Sequence, residues 1–414
     1  MELTAEQKYV IDGIMQNFHQ GGYYKSTKYR DLFVTTVGGY AGTGKTTLIT
    51  ELRDRIRVSF PKLNVAFLTF TGKASSVLRS KLDIINTAND YIGTIHGLIY
   101  APEVRWDKKL KTFVITGWKL KDIDEIYYDV FIIDEASMVS QKIWHDLKQF
   151  GRPIIAVGDH GQLPPIGDNF SLVRDTNFKL NEIHRQALNS PIIALSKWVR
   201  DEGYIPFNRV FSKDVFKISW NHPKCQEFWN EKVVFDENLI VLTAFNTTRA
   251  NMNDIIRKKL EYKHKIPYPG ERIVCLQNDH NRGIMNGQIG TVLWVMGEDH
   301  NLYRMTLDVD LVCDPIECTV AKKCFGQVSY TMYDRSKKST QQHEYATDKG
   351  IGPINYFDYG YSISVHKSQG SEWQKVILFE QRTKRWSDEY YARWLYTAIT
   401  RAKEKLFIIS DYWG

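Results

Sequence analysis

Residues Gly39 to Thr46 read GYAGTGKT, a match to G-x-x-x-x-G-K-[ST] set between a short apolar run, Phe33 to Val37, and a helix-period segment, Lys45 to Val58. At ordinary glycine usage such a match arises by chance on the order of once or twice in a hundred chains of this length. The strand-loop-helix setting makes it much more specific and commits the first part of the chain to an α/β unit that binds phosphates. Gly42 and Gly44 let backbone N–H groups wrap a β-phosphate, with Thr43 and Thr47 in the same loop and first turn. Lys45 is placed to reach the β- and γ-phosphates, and the Thr46 hydroxyl is a ligand for Mg²⁺.

Val130 to Glu135 read VFIIDE, a buried strand that ends in two carboxylates, and open α/β sheets bind their ligands at that end. Asp134 is expected to hold the Mg²⁺, directly or through water, and Glu135 to position and polarise the attacking water. An adjacent pair suits this division because the metal neutralises one carboxylate and leaves the other as base. The two motifs imply nucleoside triphosphate hydrolysis or phosphoryl transfer and leave open what the energy does. A kinase needs an acceptor pocket, whereas a motor needs a second α/β unit that brings positive charge to the γ-phosphate.

The remaining chain supplies such a unit. Val65 to Phe70 and Ile154 to Val157 read as further buried strands, with a helix near Lys73 to Leu82. The pattern returns with a strand at Leu239 to Ala244, a helix at Arg249 to Leu260, and strands at Lys375 to Phe379 and Leu406 to Ile409 around a long C-terminal helix. Apolar strands with intervening helices indicate parallel sheets covered on both faces. Two stretches break the alternation. Pro102 to Trp118 has β-formers on either side of a polar turn, the pattern of a hairpin. From Pro269 to Thr347 the composition turns β-rich: Asn286-Gly287 is a two-residue hairpin signal, and Tyr303, Met305, Leu307 and Val309 alternate with polar residues as a half-buried strand should.

Composition narrows the classes further. Lys plus Arg at 55 against Asp plus Glu at 48 gives a formal charge of +7, a weak pointer to acidic partners. Mean hydropathy is −0.38, no apolar run approaches the ~18 residues of a membrane span, and MELTAEQKYV lacks the basic-then-apolar order of a signal peptide. Five cysteines without a C-x-x-C pair fit a reducing compartment; Cys313, Cys318 and Cys324 as a zinc site are the minor alternative to plain thiols.

Further motifs carry a family resemblance. Gly158 to Pro165, GDHGQLPP, resembles motif III of superfamily 1 helicases; Leu3 to Gln7, LTAEQ, resembles the Q motif; TGKA at Thr71 to Ala74 and TIH at Thr94 to His96 resemble motifs Ia and Ib. VHKSQGSEW at Val365 to Trp373 resembles motif V, and LYTAITRAK at Leu395 to Lys403 resembles motif VI. The set runs in family order over nearly the whole chain. It is most similar to the 5′-to-3′ group B branch, the RecD-like helicases and the small phage Dda helicase type.

The resemblance implies an α/β fold of two RecA-like P-loop NTPase domains with an inserted β-hairpin, the pin, and an inserted small antiparallel β-barrel. The expected divisions are 1–92 and 119–180 for domain 1A, 93–118 for the pin insert 1B, 181–267 and 348–414 for domain 2A, and 268–347 for the barrel insert 2B. Among implied roles, Gln7 reads adenine, Gln162 senses the γ-phosphate, and Arg185 and Arg401 are arginine fingers. Helix periodicity from Ser387 to Lys405 puts Arg401 at the edge of an apolar stripe formed by Tyr391, Trp394, Leu395 and Ala398. DNA contacts are implied for Thr71, Lys73, Thr94, His96, Asn246, Ser364, His366 and Lys367, a ribose contact for Glu372, and base stacking at the pin for Trp106 and Phe113. Members of the branch commonly have proline before the Ia threonine, where this chain has Phe70, so its Ia loop is expected to differ.

The implied activity is ATP-dependent, Mg²⁺-dependent 5′-to-3′ DNA unwinding by a motor whose cleft closes on ATP. Implied partners are single-stranded and tailed duplex DNA and replication or recombination proteins. The implied working form is a monomer without membrane, in the cytoplasm, or the host cytoplasm for a phage protein. The alternatives are an RNA helicase of the same superfamily and an ATP-switched single-strand-binding remodelling protein that does not unwind.

Overall fold

The computed structural model describes residues 3–18, 33–82, 90–107, 112–165, 170–183, 189–207, 210–279, 282, 284–299, 301–310, 312, 314–328 and 354–411. The chain forms two compact units: Met1–Ala101, Lys119–Gly203 and Ala392–Thr400 make unit 1, and Pro102–Trp118, Tyr204–Tyr391 and Arg401–Gly414 make unit 2. The Pro191–Glu202 helix and the second half of the Asp388–Ile399 helix therefore group with the P-loop unit, and the 102–118 segment groups with unit 2.

Unit 1 starts with the Ala5–Asn17 helix, held by a capping box in which Thr4 accepts from the Gln7 N–H and the Gln7 side chain accepts from the Thr4 N–H. Its strands are β1 Val34–Gly39, β2 Val65–Thr69, β3 Tyr91–Thr94, β6 Val130–Ile133, β7 Ile154–Gly158 and β8 Phe178–Leu180; β4 Tyr100–Asp107 and β5 Thr112–Leu120, which group mostly with unit 2, form a separate two-stranded sheet. Among the described residues the sheet order is β3-β2-β6-β7-β1-β8, and its pairings are parallel, for example Val37 opposite Val157. Strands β2, β6 and β7 are buried at every position, as a sheet covered on both faces demands. The core on one side packs Val10, Ile11 and Ile14 of the first helix with Leu48, Leu52 and Ile56 of the Lys45–Ser59 helix.

Unit 2 holds β9 Val210–Ser212, β10 Val215–Ser219, β11 Leu239–Thr243, β18 Ser362–Ser364, β19 Trp373–Phe379 and β20 Ala402–Ser410 in the order β18-β11-β19-β20-β10-β9. Only β9 is antiparallel among these described strands. Between β11 and β18 the chain builds a second sheet from β12 Arg272–Cys275, β13 Ile289–Asp299, β14 Leu302–Val309, β15 Ile316–Ala321, β16 Ile354–Asn355 and β17 Phe357–Tyr359, in the order β16-β15-β14-β13-β12-β17. Its two edges, β16 and β17, are separated along the chain by Tyr356 alone, so the sheet must curl back on itself. The tight approach needs Gly360, where a Cβ would lie 2.7 Å from the Ile273 carbonyl oxygen. Tyr303, Met305, Leu307 and Val309 are buried on β14 while Arg304 and Asp308 are exposed, as the alternation predicts.

Two sequence expectations need correction here. Asn286-Gly287 is a turn with Gly287 at φ +87°, but it is not a two-residue hairpin. It feeds β13, whose partner β12 ended at Cys275, and an Asp279–Ile284 bridge fills the connection. The C-terminal helix does not run to Lys405 either. It ends at Ile399, and the chain turns through Thr400 and Arg401 into β20. The β-branched and aromatic residues of that strand, buried between β19 and β10, outweigh the continuing helical period.

Candidate functional site

In unit 1 the candidate residues gather where the parallel strands end. The P-loop follows β1, Phe70 and Thr71 follow β2, Thr94 ends β3, Asp134 and Glu135 follow β6, and Asp159 follows β7. Gly42 and Gly44 sit at φ +80° and +76°, a conformation that side chains with a Cβ rarely adopt and that lets the loop turn into the Lys45–Ser59 helix. A pocket of about 410 Å³ beside the helix start is lined by Leu3, Thr46, Thr47, Thr50, Glu51 and Lys81.

Lys45 donates from Nζ to the carbonyl oxygens of Gly39 at 2.9 Å and Tyr40 at 3.0 Å, and lies 3.7 Å from Asp159 Oδ2. These partners hold the ammonium within the loop. Thr43 is buried and donates to the Tyr40 carbonyl. Gln7 is fully buried, and its Nε2 donates to the carbonyls of Thr43 and Gly44 at 3.2 and 3.3 Å. The same residue thus fixes the first helix by its Oε1 and the P-loop by its amide.

Asp134 accepts from the Glu135 N–H at 2.9 Å. Burial pushes its carboxyl above the ordinary value, opposed by that N–H and by the positive charges of Lys45 and Lys81. Glu135 adopts the left-handed conformation, φ +54°, costly for a residue with a Cβ and characteristic of positions held for function. Gln162 is buried; its Nε2 lies 3.5 Å from Asp159 Oδ2, and its Oε1 has no hydrogen-bond partner among the described residues.

Sequence reasoning passed over the residue at the centre. The fully buried Asp159 accepts from the Gly161 N–H at 2.9 Å and the Tyr396 hydroxyl at 2.9 Å, beside Lys45 and Gln162. The Tyr396 hydroxyl also accepts from the P-loop N–H of Ala41 at 2.7 Å. Tyr40 lies at 4.1 Å from the His160 ring, centroid to centroid, with Arg200 over its face at 4.2 Å. The signal for Asp159 was available: like Asp134 it directly follows a buried strand, and β6 and β7 are neighbours. Tyr396 had no such signal, because at helix period it falls away from the apolar stripe of its helix.

The two threonines implied as strand contacts already have a local role. Thr71 caps the Gly72–Lys81 helix by accepting from the Ala74 N–H, and Thr94 caps the Ile95–Ile99 turn by accepting from Gly97. Lys73 stands in the first turn behind Thr71, and His96 lies 4.6 Å from the Tyr100 ring. Phe70 is 37% exposed, so the Ia position carries an open aromatic face.

In unit 2, Asn246 starts the Asn246–Lys259 helix after β11, Ser364 ends β18, and His366 and Lys367 follow it. His366 Nε2 and the Tyr390 hydroxyl are 2.8 Å apart. Burial, reinforced by Arg249, lowers Lys367 to about 8. Glu372 is exposed and pairs with Lys403 at 3.4 Å. Arg401 is buried in the turn after the C-terminal helix, correcting its place on the helix stripe, and donates to the Ser371 carbonyl at 3.1 Å. Trp106 and Phe113 lie on β4 and β5. Arg185 and Cys313 lie outside the described residues. Cys225, Cys275, Cys318 and Cys324 are buried, and burial raises their thiols, the last three to about 12. No helix among the described residues is long and apolar enough to cross a membrane.

The family described as "AAA domain" matches residues 19–207, and the "UvrD-like helicase C-terminal domain" matches residues 359–409. The chain is 25% identical to the ATP-dependent RecD2 DNA helicase of Deinococcus radiodurans over 90% of its own length and 46% of that protein. It is 24% identical to the RecBCD enzyme subunit RecD of Buchnera aphidicola over 92% of its length and 70% of that subunit. The chain spans between about a third and about half of the length of three curated relatives that it matches. Among solved structures, the fold is similar to that of a Pif1 helicase from Bacteroides in complex with ADP-AlF3 and single-stranded DNA, with a TM-score of 0.54 and 19% identity, covering 100% of this chain and 93% of that one.

Proposed function

We propose that this chain, which belongs to the group B branch of the superfamily 1 helicases, is an ATP-dependent DNA helicase that moves 5′-to-3′ on single-stranded DNA and separates duplex. The observation that carries the reading is the constellation on the P-loop unit: Lys45, Asp134, Glu135, Asp159 and Gln162 gathered at the ends of β1, β6 and β7. Polarity rests on the family.

In this reading Lys45 leaves its loop carbonyls for the β- and γ-phosphates, and the glycine-rich turn supplies backbone N–H groups. Thr46 and Asp134 offer hydroxyl and carboxylate oxygens, the donor set that suits Mg²⁺, and a cation there would offset the burial that disfavours ionised Asp134. Bound magnesium would neutralise charge on the phosphate oxygens. Glu135, fixed in a left-handed turn, orients and polarises the attacking water, and Gln162 reports the γ-phosphate through its bond to Asp159. Arg401 and Arg185 are proposed to stabilise charge on the transferred group, and Gln7 to contact adenine, with Glu372 at the ribose. Thr71, Lys73, Thr94, His96, Asn246, Ser364, His366 and Lys367 are proposed to grip the strand through phosphates, the sequence-independent contact a stepping motor requires. The β4–β5 hairpin is the proposed pin, with Trp106 and Phe113 stacking on the last base pair, and the curled sheet the proposed barrel.

The test is ATP hydrolysis with and without single-stranded DNA. The wild type is expected to be stimulated, and Lys45→Ala to lose hydrolysis in both conditions. Stimulated turnover by Lys45→Ala would remove the site assignment, and stimulation by RNA but not by DNA of equal length would replace DNA with RNA as the track.

A further inference from the structure

We propose that Glu6 is a positioning residue that anchors the chain segment leading to Arg185, so that this arginine is delivered to the phosphate being transferred. The inference rests on the helicase reading above and adds a residue to which that reading gives no role.

The geometry starts at β8, which runs beside β1 as far as the pair formed by Gly39 and Leu180. Gly39 opens the phosphate loop, so the chain leaves the sheet at Asn181 right beside that loop. The approach is close: a Cβ on Gly39 would lie 3.1 Å from that of Leu180. Where the ladder with β1 ends, Glu6 takes over. Its Oε2 accepts from the Asn181 N–H at 2.7 Å and the Glu182 N–H at 2.8 Å, and its Oε1 accepts from the Asn181 side-chain amide at 3.3 Å. Hydrogen bonds to a carboxylate are stronger than those to a neutral acceptor, so one side chain fixes two successive peptide units. Arg185 follows Glu182 by three residues in the sequence.

The helix that carries Glu6 is seated for this task. At helical period Glu6, Tyr9 and Gly13 share a face, and that face meets β8. The Tyr9 and Phe178 rings lie 6.0 Å apart, and a Cβ on Gly13 would come within 2.7 Å of the Phe178 ring. Val10, Ile11 and Ile14 point instead into the core. Gln7, next to Glu6, donates from its amide to the loop carbonyls of Thr43 and Gly44. One helical turn therefore ties the phosphate loop to the start of the segment that leads to Arg185. That tie matters because a charge-stabilising group acts only in the right place, and a misplacement of about 1 Å can cost roughly 100-fold in rate.

The experiment measures kcat and KM for ATP hydrolysis with saturating single-stranded DNA in wild type, Glu6→Ala, Arg185→Ala and the double variant. Glu6→Ala is expected to lower kcat roughly 10- to 100-fold and to leave KM within about threefold of wild type, since Glu6 acts through the arginine and not on bound ATP. In the Arg185→Ala background the same change is expected to alter kcat by less than about twofold, because the segment no longer carries the charge. Glu6→Gln keeps an oxygen for the two backbone N–H groups and is expected to stay within about threefold of wild type. Thermal unfolding reports the folded fraction of each variant; if Glu6→Ala fails to fold, Glu6→Asp, with its shorter reach, enters the same cycle. An unchanged kcat in the Glu6 variant, or equal losses in the two backgrounds, overturns the positioning role and leaves the helicase reading intact. Wild-type kcat in Arg185→Ala overturns it as well, by removing the arginine it serves. A wild type without DNA-stimulated hydrolysis overturns the helicase reading and this proposal with it.

Discussion

At the residue scale, Asp159 decides how the nucleotide loop is held. A buried carboxylate requires partners, and its partners are a backbone N–H, the Tyr396 hydroxyl, Gln162 and Lys45. Tyr396 serves twice, donating to Asp159 and accepting from Ala41. Tyr396→Phe keeps the ring and removes both bonds, so thermal unfolding is expected to show a loss of about 1–3 kcal/mol. ATP titration is expected to show a raised KM, because Ala41 belongs to the phosphate loop. Unchanged values for both would mean that the hydroxyl only fills space. Lys367 gives a pH prediction. Its ammonium is costly to keep in a buried setting beside Arg249, so it titrates near 8 rather than at the ordinary lysine value. A phosphate favours the protonated form, and affinity for single-stranded DNA is therefore expected to fall as pH rises through 8. Lys367→Arg stays charged and should flatten that profile. For stability the sign is opposite: between 8 and the unfolded value the unfolded chain holds the proton that the folded one lacks, so this group's penalty fades as pH rises.

At the scale of elements, legibility followed how local each determinant was. The P-loop strand and helix, β6 and the alternating β14 were readable because burial on one face or both leaves a direct periodic trace. The turn at Arg401 was not, because helical period continues past Ile399 and only pairing of β20 with β19 and β10 stops it. Asn286-Gly287 signalled a turn correctly and its partner wrongly, since a turn residue fixes dihedrals but not which strand lies across. Within unit 2, distant ion pairs fasten the curled sheet to the Asn246–Lys259 helix. Arg257 donates to both oxygens of Glu271 at 2.6 and 3.0 Å and lies 4.0 Å from the Tyr359 ring, while Arg249 pairs with Asp358. Both pairs are almost wholly buried. Arg257→Ala strands the Glu271 charge and is expected to cost about 3–5 kcal/mol in denaturant unfolding. Arg257→Met with Glu271→Leu should recover much of that, and equal losses for the two variants would assign the effect to packing instead.

At the scale of the whole molecule, a net charge of +7 over 414 residues is modest for a chain proposed to handle a polyanion. A translocating motor must release its track in each cycle, and affinity from many phosphate contacts would slow release and make binding steeply salt-dependent. A few local basic residues such as Lys73 and Lys367 can supply grip without that global charge. The central claim, directional unwinding driven by ATP, is tested most directly by strand displacement on duplexes bearing either a 5′ or a 3′ single-stranded tail, with ATP and Mg²⁺. The predicted result is displacement from the 5′-tailed duplex, lost with Lys45→Ala. Displacement solely from the 3′-tailed duplex would contradict the assigned direction, and ATP turnover with tight strand binding but no displacement from either would contradict unwinding itself.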